Sequence, residues 1–221
     1  MRVLAVDTTT RWGSLAVAGP DGVLAEARVA TDGGHSRWLL SAAEALLGGL
    51  GIAAGDLDAF AVTTGPGSFT GLRVGLGSVQ GLAVASGRPC VGLSTLDVLA
   101  LSAAGSSGTI VALVDAFRGE VYSGVYDSVG ALRGERRVGR LGTVLDGLPR
   151  GTAFVGEAAL AESTVIREAV PGAIFPECGR FLAATLALAA RRLASAGRTV
   201  SPADLRPLYL RDAGIRKPRD P

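Results

Sequence analysis

The chain has 221 residues, 48% of them hydrophobic, and carries a net charge of +2 with His taken as neutral. This length suits one domain or two small ones, and it is enough to bury a core without covalent staples. Two distant cysteines and a single histidine exclude a disulfide scaffold, a CxxC site and a metal site built on a pair of histidines. Its apolar runs are too short to span a bilayer. We therefore expect a cytoplasmic protein that holds no metal and does not associate with a membrane.

The first half of the chain alternates strand and helix patterns. Strands are predicted at residues 3–7, 14–18, 23–29, 58–64 and 90–93. Helices are predicted at residues 36–50, 70–85 and 95–103. A hairpin followed by strand-helix-strand is typical of a mixed sheet with helices packed on it.

The second half repeats this order. Strands are predicted at 110–115, 120–126, 132–138, 153–156 and 173–175, with helices at 157–168 and 181–194. Asp7 and Asp115 end the first strand of each half, 108 positions apart, and Gly22 and Gly130 in the hairpin turns keep the same offset. We predict an α/β fold of two ribonuclease-H-like lobes, the actin/Hsp70/sugar-kinase (ASKHA) architecture. The N-terminal lobe covers 1–104 and the C-terminal lobe 105–221, with the last helix and the tail expected to pack back on the N-terminal lobe.

A glycine-rich run, Gly-Pro-Gly-Ser-Phe-Thr-Gly-Leu-Arg at positions 65–73, joins a predicted strand to a predicted helix. Gly65 and Gly67 allow backbone angles that a β-carbon forbids, and Ser68 and Thr70 can cap the helix. Such a run serves either as a tight turn or as an anion site at a helix start. It lacks the lysine of a Walker loop and does not match GxGxxG.

Five segments together carry a resemblance to a known family. They are Val-Leu-Ala-Val-Asp-Thr at 3–8, Gly-His-Ser at 34–36, the glycine-rich run, Asp-Ala-Phe-Arg-Gly-Glu-Val-Tyr at 115–122 and Pro-Leu-Tyr-Leu-Arg at 207–211. The chain resembles TsaB, also called YeaZ, of bacterial tRNA threonylcarbamoyladenosine biosynthesis. The resemblance implies a non-catalytic paralogue of TsaD, which transfers the threonylcarbamoyl group to adenosine 37 of tRNA. It also implies a scaffold that binds TsaD and the ATPase TsaE and meets tRNA only through that complex.

The resemblance also bears on metal binding. TsaD-like relatives hold a metal through a His-x-x-x-His helix, whereas this chain has Leu39 four residues after His35 and no second histidine. We therefore predict neither a metal site nor a zinc peptidase, and we assign no catalytic residue.

In this architecture nucleotide lies between the lobes, and Asp7, Thr8 and Asp115 are the candidates for weak nucleotide binding. The phosphate hairpin usually carries Asp-x-Gly, but here three threonines follow Asp7. The two carboxylates could orient a hydrated Mg²⁺, or Asp7 could hydrogen-bond its own hairpin. No cofactor is expected, with weak binding of ATP or ADP and Mg²⁺ left open.

Six residues of the N-terminal lobe are candidates for the interface with TsaD: His35, Leu39, Ala43, Gly71, Gly75 and Ser78. Each glycine inside a helix costs about 1 kcal/mol relative to alanine, so glycines at helical spacing indicate that another backbone approaches closely. The alternative is that this face packs on the chain's own sheet. Without TsaD, the same surface could join two copies into a homodimer.

Other functions and contacts stay open at this point. An ATP-binding phosphotransferase or ATPase of the same fold is one alternative, and a peptidase is another. Arg73 and Arg118 are either solvated or in salt bridges, or they contact phosphate or tRNA. A basic cluster at the C-terminus is either a solvated tail or a nucleic-acid contact: Arg206, Arg211, Arg216, Lys217 and Arg219.

Overall fold

The fold was examined in a computed structural model, which describes residues 1–31, 34–178 and 180–210. Arg211 of the last family segment and three other members of the basic cluster lie outside these ranges. The strands are β1 (Val3–Asp7), β2 (Trp12–Gly19), β3 (Gly22–Ala30), β4 (Ala59–Thr63), β5 (Cys90–Leu93), β6 (Thr109–Asp115), β7 (Glu120–Asp127), β8 (Arg137–Arg140) and β9 (Ala153–Val155). The helices are α1 (Leu39–Gly49), α2 (Phe69–Ser86), α3 (Thr95–Ser102), α4 (Leu141–Leu145), α5 (Glu157–Ala161), α6 (Ser163–Ala169) and α7 (Ala183–Ser195).

The first sheet has the strand order β3-β2-β1-β4-β5. β1 pairs antiparallel with β2 and parallel with β4, so it lies at the centre of the sheet. All five residues of β1 are buried. Successive side chains of a strand point to opposite faces, and here Leu4 and Val6 pack with α1 and α2 while Val3 and Ala5 pack with α3 and α7. Helices therefore cover both faces of the sheet.

The second sheet repeats the centre of the first. Its order is β8-β7-β6-β9, with β6 antiparallel to β7 and parallel to β9. Asp115 ends β6 as Asp7 ends β1. The predicted fold class of two related α/β sheets is confirmed.

One hydrophobic cluster joins the two sheets. It contains Val3 and Ala5 of β1, Ala112 of β6 and Leu186 of α7, together with α3 residues. α7 follows the second sheet in the chain, yet it packs against β1 and β2. The division of the chain into domains at 104/105 stays a prediction.

Several elements differ from their predicted extent. α1 begins at Leu39 because Gly34, with φ of 79°, leads first into a 3-10 turn at His35–Arg37. The strand predicted at 132–138 is a single bridge at Leu132 followed by β8, because Gly134 between them has a φ of 82° and leaves the extended conformation. The helix predicted at 157–168 is divided into α5 and α6 at Glu162, and the strand at 173–175 is reduced to a bridge at Ile174.

Candidate functional site

A cleft of about 380 Å³ lies between the two halves of the chain. One wall comes from Thr9 to Arg11 and the glycine-rich turn, and the other comes from the end of β6 and the start of α5. Gly156 begins α5 with φ of 106°, and a β-carbon there would overlap the carbonyl oxygen of Leu113. The volume and the mostly apolar walls are those of a small-molecule site.

The glycine-rich run forms the turn that the sequence predicts. Ser68 caps α2, because its side chain accepts a hydrogen bond from the Gly71 N–H at 3.2 Å. The Ser68 N–H itself donates to the carbonyl oxygen of Thr9 at 2.7 Å. A β-carbon at Gly67 would overlap that same carbonyl group. The glycine is therefore needed for the close approach of the turn to the hairpin after β1.

Asp7, a nucleotide candidate, is fully buried and does not line the cleft. Its Oδ1 accepts hydrogen bonds from the Thr9 N–H at 3.1 Å, the Thr9 hydroxyl at 2.7 Å and the Thr63 hydroxyl at 2.7 Å. Burial raises the pKa of this carboxyl, and the hydrogen bonds from Thr63 and Thr9 oppose the rise. Asp7 thus ties its own hairpin to β4, which is the alternative that the sequence left open.

Thr8, the second nucleotide candidate, is also buried. Its hydroxyl donates to the carbonyl oxygen of Gly71 at 2.7 Å. β-carbons at Gly71 and Gly75 would overlap the Thr8 carbonyl and hydroxyl oxygens respectively. The close approach that the two glycines indicate is therefore made inside this chain, between α2 and the end of β1.

His35, Leu39 and Ala43 are buried in the same way. His35 Nε2 lies 2.9 Å from the carbonyl oxygen of Thr10, and the other two pack in the cluster between α1, α2 and the first sheet. Ser78 is half-buried. Partner binding by these six residues stays a prediction, with five of them facing the chain's own core.

Asp115, the third nucleotide candidate, does line the cleft and is exposed. Its Oδ1 accepts from the Phe117 N–H at 2.7 Å. In the loop between β6 and β7, three successive residues from Phe117 to Gly119 have positive φ. The two matching aspartates therefore differ, since Asp7 is sealed beneath the glycine-rich turn and Asp115 is open to the cleft.

Sequence reasoning missed a cluster at one end of the cleft. Arg11 and Arg180 line the cleft, and their guanidinium carbons lie 4.7 and 4.9 Å from the ring centroid of Trp12. Trp12 Nε1 donates to Glu157 Oε1, and its ring meets Phe181 edge-on at 5.7 Å. Nothing local in the sequence marks this cluster, because its members come from positions more than 140 residues apart.

Within residues 1–31, 34–178 and 180–210, no three His, Cys, Asp or Glu side chains lie together as metal ligands would. No helix in the same ranges has both the length and the apolarity needed to cross a membrane.

The chain is similar in sequence to known proteins. The sequence profile of the family TsaD, tRNA N6-adenosine threonylcarbamoyltransferase, matches residues 28–215. The tRNA threonylcarbamoyladenosine biosynthesis proteins TsaB of Escherichia coli and Bacillus subtilis are 37% and 35% identical over 139 and 126 residues. These alignments cover 61% and 57% of this chain, and they span only 60% and 55% of the curated relatives.

Solved structures are matched over nearly their whole length. A Pseudomonas aeruginosa protein described as similar to peptidase YeaZ has a TM-score of 0.81 and 30% identity, covering 95% of this chain and 99% of that one. YeaZ from the same organism has a TM-score of 0.78 and 29% identity with the same coverage. The Clostridium difficile activator of 2-hydroxyisocaproyl-CoA dehydratase, at 14% identity and a TM-score of 0.55, shares the fold. The chain belongs to the family that the TsaD profile describes, and within it to the TsaB/YeaZ family.

Proposed function

We propose that this chain is a non-catalytic subunit for the synthesis of threonylcarbamoyladenosine in tRNA, where it binds TsaD and holds that enzyme in an active arrangement. The observation that carries the proposal is the likeness of 95% of the chain to YeaZ, together with the biosynthesis role in the name of the curated TsaB relatives. The alignments with those relatives span little more than half of their length, so the role of the whole chain rests on this proposal.

The non-catalytic assignment is supported by the places of the candidate side chains. One carboxylate oxygen of Asp7 accepts three hydrogen bonds from within the chain, and Asp7 does not line the cleft. His35 is buried against the carbonyl oxygen of Thr10. A general base must reach a substrate proton directly or through one water, and Asp7 is not placed to do so.

The outer face of α1 and α2 suits a partner better than the six residues that the sequence suggested. Gly77 and Gly81 are exposed on α2, and a β-carbon at either would meet nothing within 4 Å. Unlike Gly71 and Gly75, they are not required by packing inside the chain. Val84 of α2 is 68% exposed, and Leu40 of α1 is 54% exposed. Exposed glycines weaken a helix, so we propose that they are kept because a TsaD helix approaches there.

This partner surface can be tested by co-purification with TsaD encoded in the same genome. Gly77→Leu and Gly81→Leu add side chains at exposed positions where a β-carbon would meet nothing within 4 Å, so both variants should fold and lose the complex. Gly142→Leu is the matched control, because Gly142 also lies on an exposed helix position with open space around it. If both α2 variants co-purify with TsaD as well as the parent chain does, the proposed surface is contradicted.

The remaining partners follow from the same proposal. TsaE would join the complex with TsaD, and tRNA would be bound by the assembly. Without TsaD, two copies would associate through the same outer face of α1 and α2 in a symmetric homodimer. Gly81→Leu should then shift the chain toward the monomer in analytical ultracentrifugation.

A second proposal, weak nucleotide binding, is favoured by the cleft itself. The volume of about 380 Å³ suits a small ligand, and Asp115 presents an exposed carboxylate that would bind a hydrated Mg²⁺. Titration of ADP with Mg²⁺ by calorimetry tests it. Loss of the heat in Asp115→Asn would support binding in the cleft, whereas no heat with the parent chain would contradict it.

A further inference from the structure

A second concave surface lies on the other side of the glycine-rich turn. It has a volume of about 630 Å³ and is lined by the turn, by the loop after β6 and by the segment 208–210. We call it the aromatic groove, defined by Pro66, Gly67, Phe69, Leu72, Ala116, Phe117, Arg118, Tyr122, Leu208, Tyr209 and Leu210. Of its aromatic residues, Phe117 also lines the cleft, whereas Phe69, Tyr122 and Tyr209 do not.

The groove collects exposed aromatic rings. Phe69 is 55% exposed, Phe117 is 69% exposed and Tyr209 is 55% exposed. Every other aromatic side chain of the described residues is buried or half-buried. The rings of Phe69 and Tyr209 lie 6.5 Å apart between centroids, with 34° between their planes. Large apolar rings exposed together on one concave surface mark a binding site.

The backbone holds these rings in place. Phe69 is the first residue of α2, directly after its Ser68 cap. Phe117 and Arg118 have φ of 61° and 58°, a conformation that side chains other than glycine adopt at a cost. Tyr209 follows Leu208, whose N–H donates to the carbonyl oxygen of Thr64 at 2.7 Å. The rings are therefore fixed to the strand ends of both sheets.

The groove is also positively charged. Arg118 lines it, and the guanidinium carbon of Arg73 lies 3.9 Å from the ring centroid of Phe69. None of the lining residues is acidic. The charge suits a polyanion.

We propose that the aromatic groove binds single-stranded RNA. Bases would stack on the exposed rings, and the arginines would contact phosphates. Every base has a face to offer to a ring, so stacking needs no particular sequence. Paired bases in a duplex have no free faces, so unpaired strands are preferred. The identification of the natural strand as an unpaired part of tRNA rests on the proposed function. RNA binding by the isolated chain does not depend on that function.

The first test is fluorescence anisotropy of a labelled 12-nucleotide oligo(A) RNA with the isolated chain. Each phosphate contact on a single strand adds about 0.7 to the slope of log affinity against log salt, so two arginines predict a roughly sevenfold loss between 50 and 200 mM salt. An RNA duplex of the same length should bind more weakly. The absence of binding to the single strand at 50 mM salt would overturn the proposal.

Variants separate stacking from general apolar contact. Tyr209→Leu and Phe69→Leu keep an apolar side chain but remove the ring, and each should weaken binding at least about fivefold, the low end of a base-stacking contribution. Tyr209→Phe keeps the ring and should bind as the parent does. Arg118→Ala should lower the salt slope by about 0.7. Val165→Ala and Arg150→Ala are controls, since both side chains are exposed away from the groove.

The substituted side chains are exposed, so the variants should fold, which circular dichroism checks. Leucine variants that bind RNA like the parent would overturn the proposal. If they also lose the complex with TsaD, the groove is a protein-docking surface instead. A chain that binds RNA through the rings and yet does not stimulate TsaD would leave this inference standing and remove the proposed function.

Discussion

Asp7 is a buried carboxyl whose environment makes stability depend on pH. Burial raises its pKa in the folded chain, whereas in the unfolded chain it ionises near its ordinary pKa of about 3.9. Between these two pKa values the folded state binds more protons than the unfolded state. The contribution of Asp7 to stability is therefore complete below the unfolded pKa and is lost as pH rises through the folded pKa.

Asp7→Asn should remove this dependence. The amide oxygen of asparagine can accept the same hydrogen bonds from Thr9 and Thr63 without becoming charged. We expect the free energy of unfolding of the variant minus that of the parent to increase as pH rises above about 4, because only the parent loses stability there. Urea unfolding at several pH values between 4.5 and 8 measures this difference. A difference that does not change with pH would contradict the account of Asp7.

Two glycines of α2 should respond oppositely to the same substitution. A β-carbon at Gly75 would overlap the Thr8 hydroxyl and lie 3.4 Å from Val62, so Gly75→Ala should lose about 1–3 kcal/mol of stability through overpacking. Gly77 has open space around it, so Gly77→Ala should gain about 0.5–1 kcal/mol from helix propensity. Denaturant midpoints of the two variants give both values. Equal effects would contradict the packing of α2 on Thr8.

The sequence could predict part of this residue-scale geometry. Glycine spacing indicated a close approach to α2, but it carried no information on which backbone approaches. Thr8 lies more than 60 positions from Gly71, and only the tertiary fold brings them together. Likewise, Asp7 and Asp115 have matching places in the repeat, yet burial under the glycine-rich turn separates their roles. Burial of that kind depends on contacts that no local pattern records.

At the scale of elements, α7 connects the two sheets. Leu186 on this helix is completely buried in the cluster that contains residues of both sheets. Leu186→Ala should therefore cost about 2–5 kcal/mol, because it leaves a cavity there. We also expect both sheets to unfold together, so that tryptophan fluorescence, which reports on Trp12 and Trp38, and circular dichroism give one midpoint.

Ser195→Ala is the control for this prediction, since Ser195 is exposed at the end of the same helix. A loss below 1 kcal/mol in Leu186→Ala, or separate midpoints for the two signals, would show that α7 does not hold the sheets together.

Long elements with a clear period were the most predictable. The patterns for β1, α2 and α7 came within about two residues of the observed ends, because caps and turn residues mark those ends. Prediction failed where a residue inside the pattern leaves the extended conformation. Gly134, with φ of 82°, interrupts the strand predicted at 132–138, and β8 begins only at Arg137.

At the scale of the whole molecule, the repeat of hairpin, turn and carboxylate predicted the two-sheet architecture. It could not predict the surfaces between and around the sheets. The cleft, the aromatic groove and the outer face of α1 and α2 each combine residues from distant parts of the chain. We propose that these surfaces bind partners, with Gly77 and Gly81 as the central contact with a TsaD helix.

The most direct measurement is threonylcarbamoyl transfer to tRNA by TsaD with and without this chain, in the presence of TsaE and threonylcarbamoyl-adenylate. The account predicts transfer that depends on the chain, persists in Asp7→Asn and is lost in Gly81→Leu. Transfer by TsaD at full rate without the chain would contradict it, as would full stimulation by Gly81→Leu.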